Sequence, residues 1–364
     1  MKKRILAVIG TRPNFIKVTR FRKVAAMYPD LELEIVHTGQ HFDGKMADVF
    51  FEQFGLVPDH FLNIPPGSPN SQIAGIMLGL EKIILEKKPS LIMVVGDVNS
   101  TLAASITANK CGIKLAHVES GLRSFDRTMP EEFNRLVTDE LSDILFVTEQ
   151  SGLDHLKKEE KDAASIHFVG NTMIDTMVAF SPQIDASDIL EKMNIEENKF
   201  VLMTMHRPAT VDTKEGLVKL LELLQEVTKH YDVVFPVHPR TVHHLKNFDL
   251  EKSYRANARI KMTEPLDYFS FQKLIKRCKF ILTDSGGIQE ESTFLQVPCL
   301  TLRPNTERPV TVTLGSNMLL PFEMDEIRKR IGEIENGTFK KGQIPPLWDG
   351  KATERIFEIL SRTL

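Results

Sequence analysis

The chain has 364 residues, of which 42% are hydrophobic and 26% are charged, and its formal net charge is -3. This length suits two α/β domains, the charge gives no general attraction for nucleic acid or anionic membranes, and no apolar run approaches the roughly 20 residues of a membrane helix. Cys111, Cys278 and Cys299 show neither paired nor zinc-binding spacing, so we expect a protein of the reducing cytoplasm.

Short aliphatic runs alternate with amphipathic stretches in the first half of the chain, a pattern typical of a parallel sheet covered by helices. The first run leads directly into Gly10-Thr11-Arg12-Pro13 and is too short for a secretion signal, so it predicts a buried strand. The strands predicted here are residues 5–10, 33–37, 91–96, 114–118, 144–148 and 167–169.

The second half repeats the pattern, with predicted strands at residues 200–205, 233–237, 260–262, 280–283, 299–302 and 317–320. A polar stretch at 181–199 separates the two series and predicts the hinge. We therefore expect two Rossmann-like domains with parallel sheets, at 1–175 and 190–348, and a C-terminal helix at 350–364 that joins the first domain.

In open parallel sheets, ligands bind beyond the carboxyl ends of the strands. The segment from Gly10 to Lys17 lies at such an end and opens a helix, where Arg12 and Lys17 suit a phosphate or carboxylate near the positive helix terminus. The alternative is a plain turn with solvated cations, because the spacing matches neither the Rossmann glycines nor a P-loop.

A second segment, residues 284–291, also follows a predicted strand. Ser285 is expected to cap the next helix, Gly286 and Gly287 let a diphosphate approach the backbone N–H groups, and Glu291 can accept hydrogen bonds from ribose hydroxyls. The segment predicts a cradle for a nucleotide diphosphate. The alternative is an ordinary capped helix with a capping-box glutamate.

Acidic residues follow several strands of the first half: Asp97, Glu119 and, close behind, Glu131 with Glu132. Carboxylates that are brought together raise one another's pKa, which lets an acid and a base coexist at neutral pH. For any one of these residues, helix capping or surface ion pairing is an equally good interpretation. Their recurrence at strand ends favours catalysis.

His206 with Arg207 follows the strand at 200–205, and His238 follows the strand at 233–237. A histidine at the carboxyl end of a strand can face bound phosphates. The alternative is structural, above all for His238, because it lies in the rigid sequence Pro236-Val237-His238-Pro239.

Taken together, these segments resemble the non-hydrolysing UDP-N-acetylglucosamine 2-epimerases, from about residue 4 to residue 320. In chain order, the matching segments are Gly10-Thr11-Arg12-Pro13 with Lys17, Gly96-Asp97, His117-Val118-Glu119 with Gly121-Leu122-Arg123, Pro130-Glu131-Glu132 with Asn134-Arg135, Met205-His206-Arg207, Glu264-Pro265-Leu266-Asp267-Tyr268, 283–291 and Thr306-Glu307-Arg308-Pro309.

The resemblance implies a glycosyltransferase-B fold with the active site in an interdomain cleft, no nicotinamide cofactor, no metal, a UDP-sugar substrate and a homodimer. It implies catalytic roles for Asp97, Glu119 and Glu131, and a place for His206 near the diphosphate. The residues implied in UDP or sugar binding are Arg12, Lys17, Phe271, Ser285, Gly286, Gly287, Glu291 and Arg308, with Arg207 and His238 as further candidates.

The implied reaction is the interconversion of UDP-N-acetylglucosamine and UDP-N-acetylmannosamine by elimination of UDP and its re-addition. The chain departs from the family pattern at Met129, at Pro208-Ala209-Thr210 and at Gln40-His41-Phe42-Asp43, the last of which bears on activation by substrate at a second site. The alternatives are epimerisation of a UDP-2,3-diacetamido-uronic acid, a hydrolysing epimerase, a glycosyltransferase and a nucleotide-sugar sensor.

Overall fold

The computed structural model of the protein describes residues 2–40 and 51–364, so His41 to Asp43 lie outside the described residues. The chain divides into two compact units, which are described separately. The first unit comprises Met1–Ala179 with Pro346–Leu364, and the second comprises Phe180–Pro345. No helix in the described part of the chain combines the length and the hydropathy that a membrane span requires.

The described residues of the first unit form a seven-stranded sheet in the order β3-β2-β1-β4-β5-β6-β7. All neighbouring strands in this sheet run parallel. The strands are β1 (Lys3–Ile9), β2 (Leu31–His37), β3 (His60–Phe61), β4 (Leu91–Val95), β5 (Lys114–Ser120), β6 (Ile144–Val147) and β7 (Ile166–Phe168).

Helices cover this sheet and bury its aliphatic side chains. One core cluster places Leu6 and Val8 of β1 with Val94 of β4 against Leu80 and Ala104 of two covering helices. The helices of this unit are α1 (Arg12–Val18), α2 (Phe21–Ala25), α3 (Pro69–Lys87), α4 (Asn99–Lys110), α5 (Pro130–Leu141), α6 (Gln150–Lys158), α7 (Thr172–Ala179) and, after the second unit, the C-terminal helix Ala352–Thr363.

The C-terminal helix is anchored within the first unit by a buried carboxylate. Asp175 of α7 accepts hydrogen bonds from the backbone N–H groups of Ala352 (3.0 Å) and Thr353 (2.5 Å) and from the Thr353 hydroxyl (2.6 Å). The ring of Phe357 meets Phe21 edge to face at 5.6 Å between centroids. The helix therefore completes the core of the first unit.

The second unit contains six described strands in the order β10-β9-β8-β11-β12-β13, again all parallel. They are β8 (Phe200–Thr204), β9 (Asp232–Pro236), β10 (Ile260–Thr263), β11 (Phe280–Thr283), β12 (Cys299–Leu302) and β13 (Asn317–Leu320). Side chains alternate between two clusters on opposite faces: Val201 and Met203 pack in one, Phe200 and Leu202 in the other.

The first helix of the second unit begins at Ser181, shortly after Ala179, where the first segment of the first unit ends. The helices of this second unit are α8 (Ser181–Ala186), α9 (Ile189–Lys192), α10 (Pro208–Val211), α11 (Lys214–Val227), α12 (Pro239–Asn247), α13 (Glu251–Arg255), α14 (Tyr268–Arg277), α15 (Gly286–Leu295), α16 (Pro309–Thr313) and α17 (Met324–Glu335); the C-terminal helix is α18.

The predicted fold class is confirmed, since every strand predicted from the sequence is present with its ends within two residues. Strand β3 was not predicted because two residues carry no readable alternation. The prediction that β5 ends at Val118 is wrong. The strand continues to Ser120 through a register shift, which places Glu119 inside the strand rather than after it.

Each sheet has one point at which the strand order reverses direction, and ligand sites of open α/β sheets lie at such points. In the first sheet this point falls between β1 and β4, followed by Gly10 and Gly96. In the second it falls between β8 and β11, and the segments that follow carry His206 and Asp284. The sequence-predicted polar residues are therefore concentrated at the two places where this topology predicts ligands.

Candidate active site

The turn after β1 is tied to β4 across the switch point of the first sheet. Asn14 of α1 donates from Nδ2 to the Val95 carbonyl (2.9 Å) and accepts from the Thr11 hydroxyl (2.9 Å). A Cβ on Gly10 would lie 1.9 Å from Ser100 Oγ, so only glycine fits there. Arg12 is the first residue of α1 and is half-buried.

Lys17 and Glu119 form a buried ion pair. Lys17 Nζ donates to Glu119 Oε2 at 2.6 Å, and the two side chains are only 5% and 3% exposed. The other carboxylate oxygen, Glu119 Oε1, is buried and has no hydrogen-bond partner among the described residues. Lys17 thus supplies a counter-charge to a carboxylate whose second oxygen has no partner in the described part of the chain.

Glu119 has an unusual backbone, with φ of +76° in the left-handed region that non-glycine residues rarely adopt. The conformation coincides with the register shift between Val118 and Ser120 on β5. A bulge of this kind redirects a side chain that regular alternation would place elsewhere. Such strain persists where the surroundings impose it, and it is concentrated at functional sites.

Asp97 is held by the helix that follows β5. Asn134 Nδ2 donates to the Asp97 backbone carbonyl (2.8 Å), and Arg135 contacts Asp97 Oδ2 through Nε (2.9 Å) and Nη2 (2.8 Å). Arg135 is fixed in turn by an ion pair with the buried Glu132. Glu132 therefore has a structural role, and it also accepts hydrogen bonds from the backbone N–H groups of Ser124 and Phe125 (both 2.9 Å).

Glu131 occupies the first turn of α5 and is half-buried. Its carboxylate has no hydrogen bond or ion pair with another residue in the ranges 2–40 and 51–364. The N-terminus of α5 contributes a partial positive charge near this carboxylate. The three predicted acids therefore differ: two face cations, and one is unpaired within the described part of the chain.

The structure brings part of the predicted set together around Gly96. A Cβ on this residue would lie 3.6 Å from both Lys17 Nζ and Glu119 Oε2, and 3.2 Å from Asn14 Nδ2. Gly96 also has φ of +70°, the left-handed region that favours glycine. Asp97 follows directly, which places it next to the Lys17–Glu119 pair at the edge of the first sheet.

In the second unit, Asp284 links the segments that follow β8 and β11. Its Oδ2 accepts from the backbone N–H groups of His206 (2.9 Å) and Arg207 (2.8 Å), and its Oδ1 lies 2.8 Å from His206 Nδ1. Burial raises the pKa of Asp284, but the hydrogen bond and charge of His206 and the two N–H groups outweigh burial and hold that pKa below its usual value.

His206 is 40% exposed, and its Nε2 has no hydrogen-bond partner in the described part of the chain. Its ring lies 5.5 Å from that of His238. His238 Nδ1 accepts from the Arg240 backbone N–H (3.2 Å), so this residue caps α12. His206 thus combines a buried carboxylate partner with a ring nitrogen that has no partner among residues 2–40 and 51–364.

Helix α15 begins at Gly286, and the prediction that the Ser285 side chain caps it is wrong. Ser285 occupies the N-cap position without a side-chain hydrogen bond to the helix. The first turn, which includes Gly287, therefore lacks a side-chain cap, and N–H groups at such a terminus bind anions. This leaves the predicted diphosphate cradle available to a ligand.

Arg308 lies over the start of α15. A Cβ on Gly286 would come within 2.9 Å of Arg308 Nη1 and 2.6 Å of Glu307 Oε1. Arg308 is buried, pairs with Glu290 (Nε to Oε2, 2.7 Å) and contacts Glu307. Gly286 thus accommodates these two side chains, and the guanidinium reaches the helix terminus with its charge balanced by two carboxylates.

The remaining predicted UDP-binding residues lie on helices α14 and α15. Glu291 Oε1 accepts a hydrogen bond from Gln272 Nε2 (2.6 Å), and both residues are buried. Phe271 of α14 is partly buried against the cluster on one face of the second sheet. Gln272 was missed at the sequence level, because an isolated glutamine carries no pattern until the fold places it beside Glu291.

A surface cavity of about 610 Å³ lies elsewhere in the second unit. Its lining includes Lys199, Asp232 and Arg259, which immediately precede or begin strands β8, β9 and β10. These are the amino ends of parallel strands, whereas ligands bind at the carboxyl ends. We do not assign the cavity to the site for that reason.

Two parallel sheets with polar switch points define an α/β protein of the glycosyltransferase-B type. A family model described as UDP-N-acetylglucosamine 2-epimerase matches residues 24–361. A UDP-N-acetylglucosamine 2-epimerase of Methanocaldococcus jannaschii is 38% identical over 361 residues, covering 97% of this chain and 98% of the relative. The chain belongs to the UDP-N-acetylglucosamine 2-epimerase family.

Two further comparisons bear on the substrate. A UDP-2,3-diacetamido-2,3-dideoxy-D-glucuronate 2-epimerase of Pseudomonas aeruginosa is 37% identical over 369 residues, covering 99% of each chain. The crystal structure of the M. jannaschii UDP-GlcNAc 2-epimerase in complex with UDP-GlcNAc and UDP is similar with a TM-score of 0.90 and 37% identity, covering 99% of both chains.

Proposed function

We propose that the protein interconverts UDP-N-acetylglucosamine and UDP-N-acetylmannosamine by inverting C2. The observation that carries the proposal is the pair of carboxylates, Asp97 and Glu119, at the carboxyl ends of adjacent strands, each beside a cation. Glu119 Oε1 is the buried oxygen without a partner among the described residues. In a chain of this family, such an oxygen is suited to accept or return the C2 proton.

The hydrogen on C2 of an N-acetylhexosamine is only weakly acidic, so its removal needs a place for the electron pair. We propose elimination: a carboxylate takes the C2 proton, the C1–C2 double bond forms, and the C1–O bond breaks with its electrons on UDP. The products held in the enzyme are 2-acetamidoglucal and UDP. Re-addition of UDP, with a proton delivered to the opposite face of C2, gives the manno epimer.

The second unit would hold the nucleotide. The uncapped start of α15 and Arg308 supply positive potential for the diphosphate, and Glu291 is the proposed acceptor for ribose hydroxyls. His206 would donate from Nε2 to the oxygen that gains charge when C1–O breaks. Groups of this kind contribute about 3 kcal/mol each when they are placed against developing charge.

The three acids have distinct proposed roles. Lys17 would act on Glu119 rather than on a phosphate, and Arg135 would hold Asp97, because those are their contacts. Glu131, unpaired in the described part of the chain, is the third group and lies at a helix N-terminus. Two of the three must serve opposite faces of C2, since inversion requires removal and return on different sides.

The deciding experiment is incubation of the purified protein with UDP-N-acetylglucosamine in heavy water, followed by proton NMR. We expect loss of the C2 proton signal together with a new UDP-manno species. Free N-acetylmannosamine would indicate a hydrolysing enzyme. Unchanged substrate with no C2 exchange would contradict the proposal.

A second candidate substrate is UDP-2,3-diacetamido-2,3-dideoxy-D-glucuronic acid, because the relative named for it is 37% identical to this chain, against 38% for the M. jannaschii enzyme. The same NMR experiment with this sugar decides between them. The preferred substrate is expected to exchange C2 at least about tenfold faster at subsaturating concentration, a difference of about 1.4 kcal/mol.

We also propose a homodimer. In the first unit, Leu78 and Leu85 of α3 are 63% and 67% exposed, and Phe133 of α5 is 47% exposed. Helix α4 packs against both α3 and α5, so these side chains lie on one layer of helices. Sedimentation is expected to give twice the chain mass, and Leu85→Glu is expected to weaken the association; a wild-type protein that sediments as a monomer at assay concentration would contradict this.

A further inference from the structure

A fully buried imidazole lies on β5, two residues before the proposed catalytic acid Glu119. His117 is on β5 opposite Val94 of β4, and its side chain is 0% exposed. Its Nδ1 lies 2.6 Å from Asp139 Oδ1, and its Nε2 lies 2.9 Å from the Gly96 carbonyl oxygen. Neither residue contributes to the mechanism above.

Both ring nitrogens of His117 face acceptors only, a carboxylate and a carbonyl. The Gly96 carbonyl can only accept, so Nε2 donates there, and Nδ1 lies within hydrogen-bond distance of the Asp139 carboxylate. Burial raises the pKa of Asp139, but His117, Arg123 and the Gly121 N–H outweigh burial and hold that pKa below its usual value.

Asp139 brackets Glu119. Its Oδ1 contacts His117, two residues before Glu119, and its Oδ2 accepts from the backbone N–H of Gly121 (3.0 Å), two residues after. Arg123 adds a contact to the same oxygen at 2.7 Å. The left-handed backbone of Glu119 is unfavourable for a non-glycine residue, and contacts on both sides of the residue can impose it.

The opposite side of the ring reaches the turn that leads to Asp97. His117 donates to the Gly96 carbonyl, while the Gly96 N–H donates to the Val118 carbonyl at 3.0 Å. Gly96, with its positive φ, is therefore held on both sides by β5. One side-chain pair thus connects the residue before Asp97 with the residues flanking Glu119.

We infer that His117 and Asp139 are positioning residues that fix the Asp97 and Glu119 carboxylates relative to each other through the backbone. They touch neither substrate nor the reacting atoms. The inference rests on the proposed function in assigning chemistry to the two acids. The link between the two turns is seen in the contacts themselves and does not depend on the proposed function. The link and the function are therefore tested separately.

The chain offers a matched control at the other end of the same strand. Asp143 Oδ2 accepts from the backbone N–H of Leu115 at 2.8 Å, close to where β5 begins. Asp143→Asn removes a carboxylate acceptor from β5 without touching the turns that carry the acids. A purely structural role for Asp139 predicts that both aspartate variants lose stability and leave turnover unchanged.

The first experiment measures kcat, KM and UDP affinity for Asp139→Asn. Asparagine has one oxygen, so it cannot accept from both His117 and Gly121. We expect kcat to fall about a hundredfold, the loss associated with a displacement near 1 Å, while KM and the UDP dissociation constant stay within about twofold. Asp143→Asn is expected to keep kcat within about twofold of wild type.

Two variants of His117 each keep one of the two contacts of its ring. They test the inference even if Asp139→Asn fails to fold. The amide of His117→Asn can reach Asp139 in place of Nδ1, and that of His117→Gln can reach Gly96 in place of Nε2. Each is expected to lose kcat by about tenfold with KM unchanged, because one of the two turns is released. Wild-type kcat in all three variants would overturn the inference.

Amide hydrogen exchange provides a readout independent of turnover. In Asp139→Asn we expect faster exchange at Gly121 and Gly96, with unchanged protection in β8 and β11 of the second unit. Unchanged exchange at both glycines would overturn the inference whatever the activity. If wild type fails to exchange C2 of either UDP-sugar, the proposed function fails, and the exchange data still decide whether the pair holds the two turns.

Discussion

The carboxyl edges of the two sheets each contain a buried aspartate next to a histidine. The two histidines differ in how many of their ring nitrogens have a partner in the described part of the chain. His117 is 0% exposed and has both ring nitrogens engaged, whereas His206 is 40% exposed and has one engaged. The first ring can only hold its neighbours in place. The second is oriented by its carboxylate and keeps a nitrogen for a ligand.

The residues around the His117–Asp139 pair and around the His206–Asp284 pair also differ. At the first edge, buried side chains are matched in charge: Lys17 with Glu119, and Arg135 with Glu132 and Asp97. At the second edge, Arg308 lies over the start of α15, a helix that begins with two glycines. We propose that the first edge fixes carboxylates for proton transfer and that the second presents donors to an anion. Four predictions test this contrast, in order of expected effect.

Glu119→Gln is expected to lower kcat about a thousandfold, because it removes a proton acceptor while preserving shape. UDP affinity, measured by calorimetry, is expected to stay within about twofold, since UDP is assigned to the second unit. Glu140→Gln, an exposed glutamate on α5, is the control. A large loss of UDP affinity in Glu119→Gln would contradict the division of labour between the edges.

His206→Asn is expected to lower kcat about a hundredfold, because its amide can reach Asp284 but offers nothing at the position of Nε2. Steady-state kinetics with UDP-N-acetylglucosamine measure the change. The result shows whether His206 contributes to the reaction through Nε2 or only through its contact with Asp284. Turnover equal to wild type would mean that His206, like His117, only holds its neighbours.

Glu291→Ala is expected to weaken UDP binding about tenfold, which corresponds to about 1.4 kcal/mol, through loss of the ribose acceptor. Calorimetry with UDP measures this, and Glu291→Gln is the conservative comparison. An unchanged dissociation constant in Glu291→Ala would count against the ribose role and leave Glu291 with a structural role that includes its hydrogen bond from Gln272.

Asp284 is expected to make stability depend on pH. Its pKa lies below the unfolded value, so its ionised form stabilises the fold above about pH 4, and that contribution is lost as pH falls through the folded pKa. At pH 7 wild type is expected to melt a few degrees above Asp284→Asn, with the gap narrowing in acid. A gap independent of pH would show that His206 and the two N–H groups do not favour the carboxylate.

The sequence predicted the strands well because hydrophobic period is a local property. It also located the loops after β1, β4, β8 and β11, since glycines and polar residues interrupt the aliphatic runs there. It did not predict the Ser285 cap correctly, because capping depends on a rotamer rather than on residue type. Nor did it identify His117 and Asp139, which lie 22 residues apart on a strand and a helix.

The pattern of residues by itself determined the two α/β sheets, the order of their strands along the chain and the set of chemically capable side chains. Only the tertiary structure decided which of these meet: Lys17 with Glu119, and His206 with Asp284, pairs separated by 102 and 78 residues. The reason is physical. Period and turn propensity act over a few residues, whereas the partner of a buried charge is chosen by strand order and by the cost of leaving that charge alone.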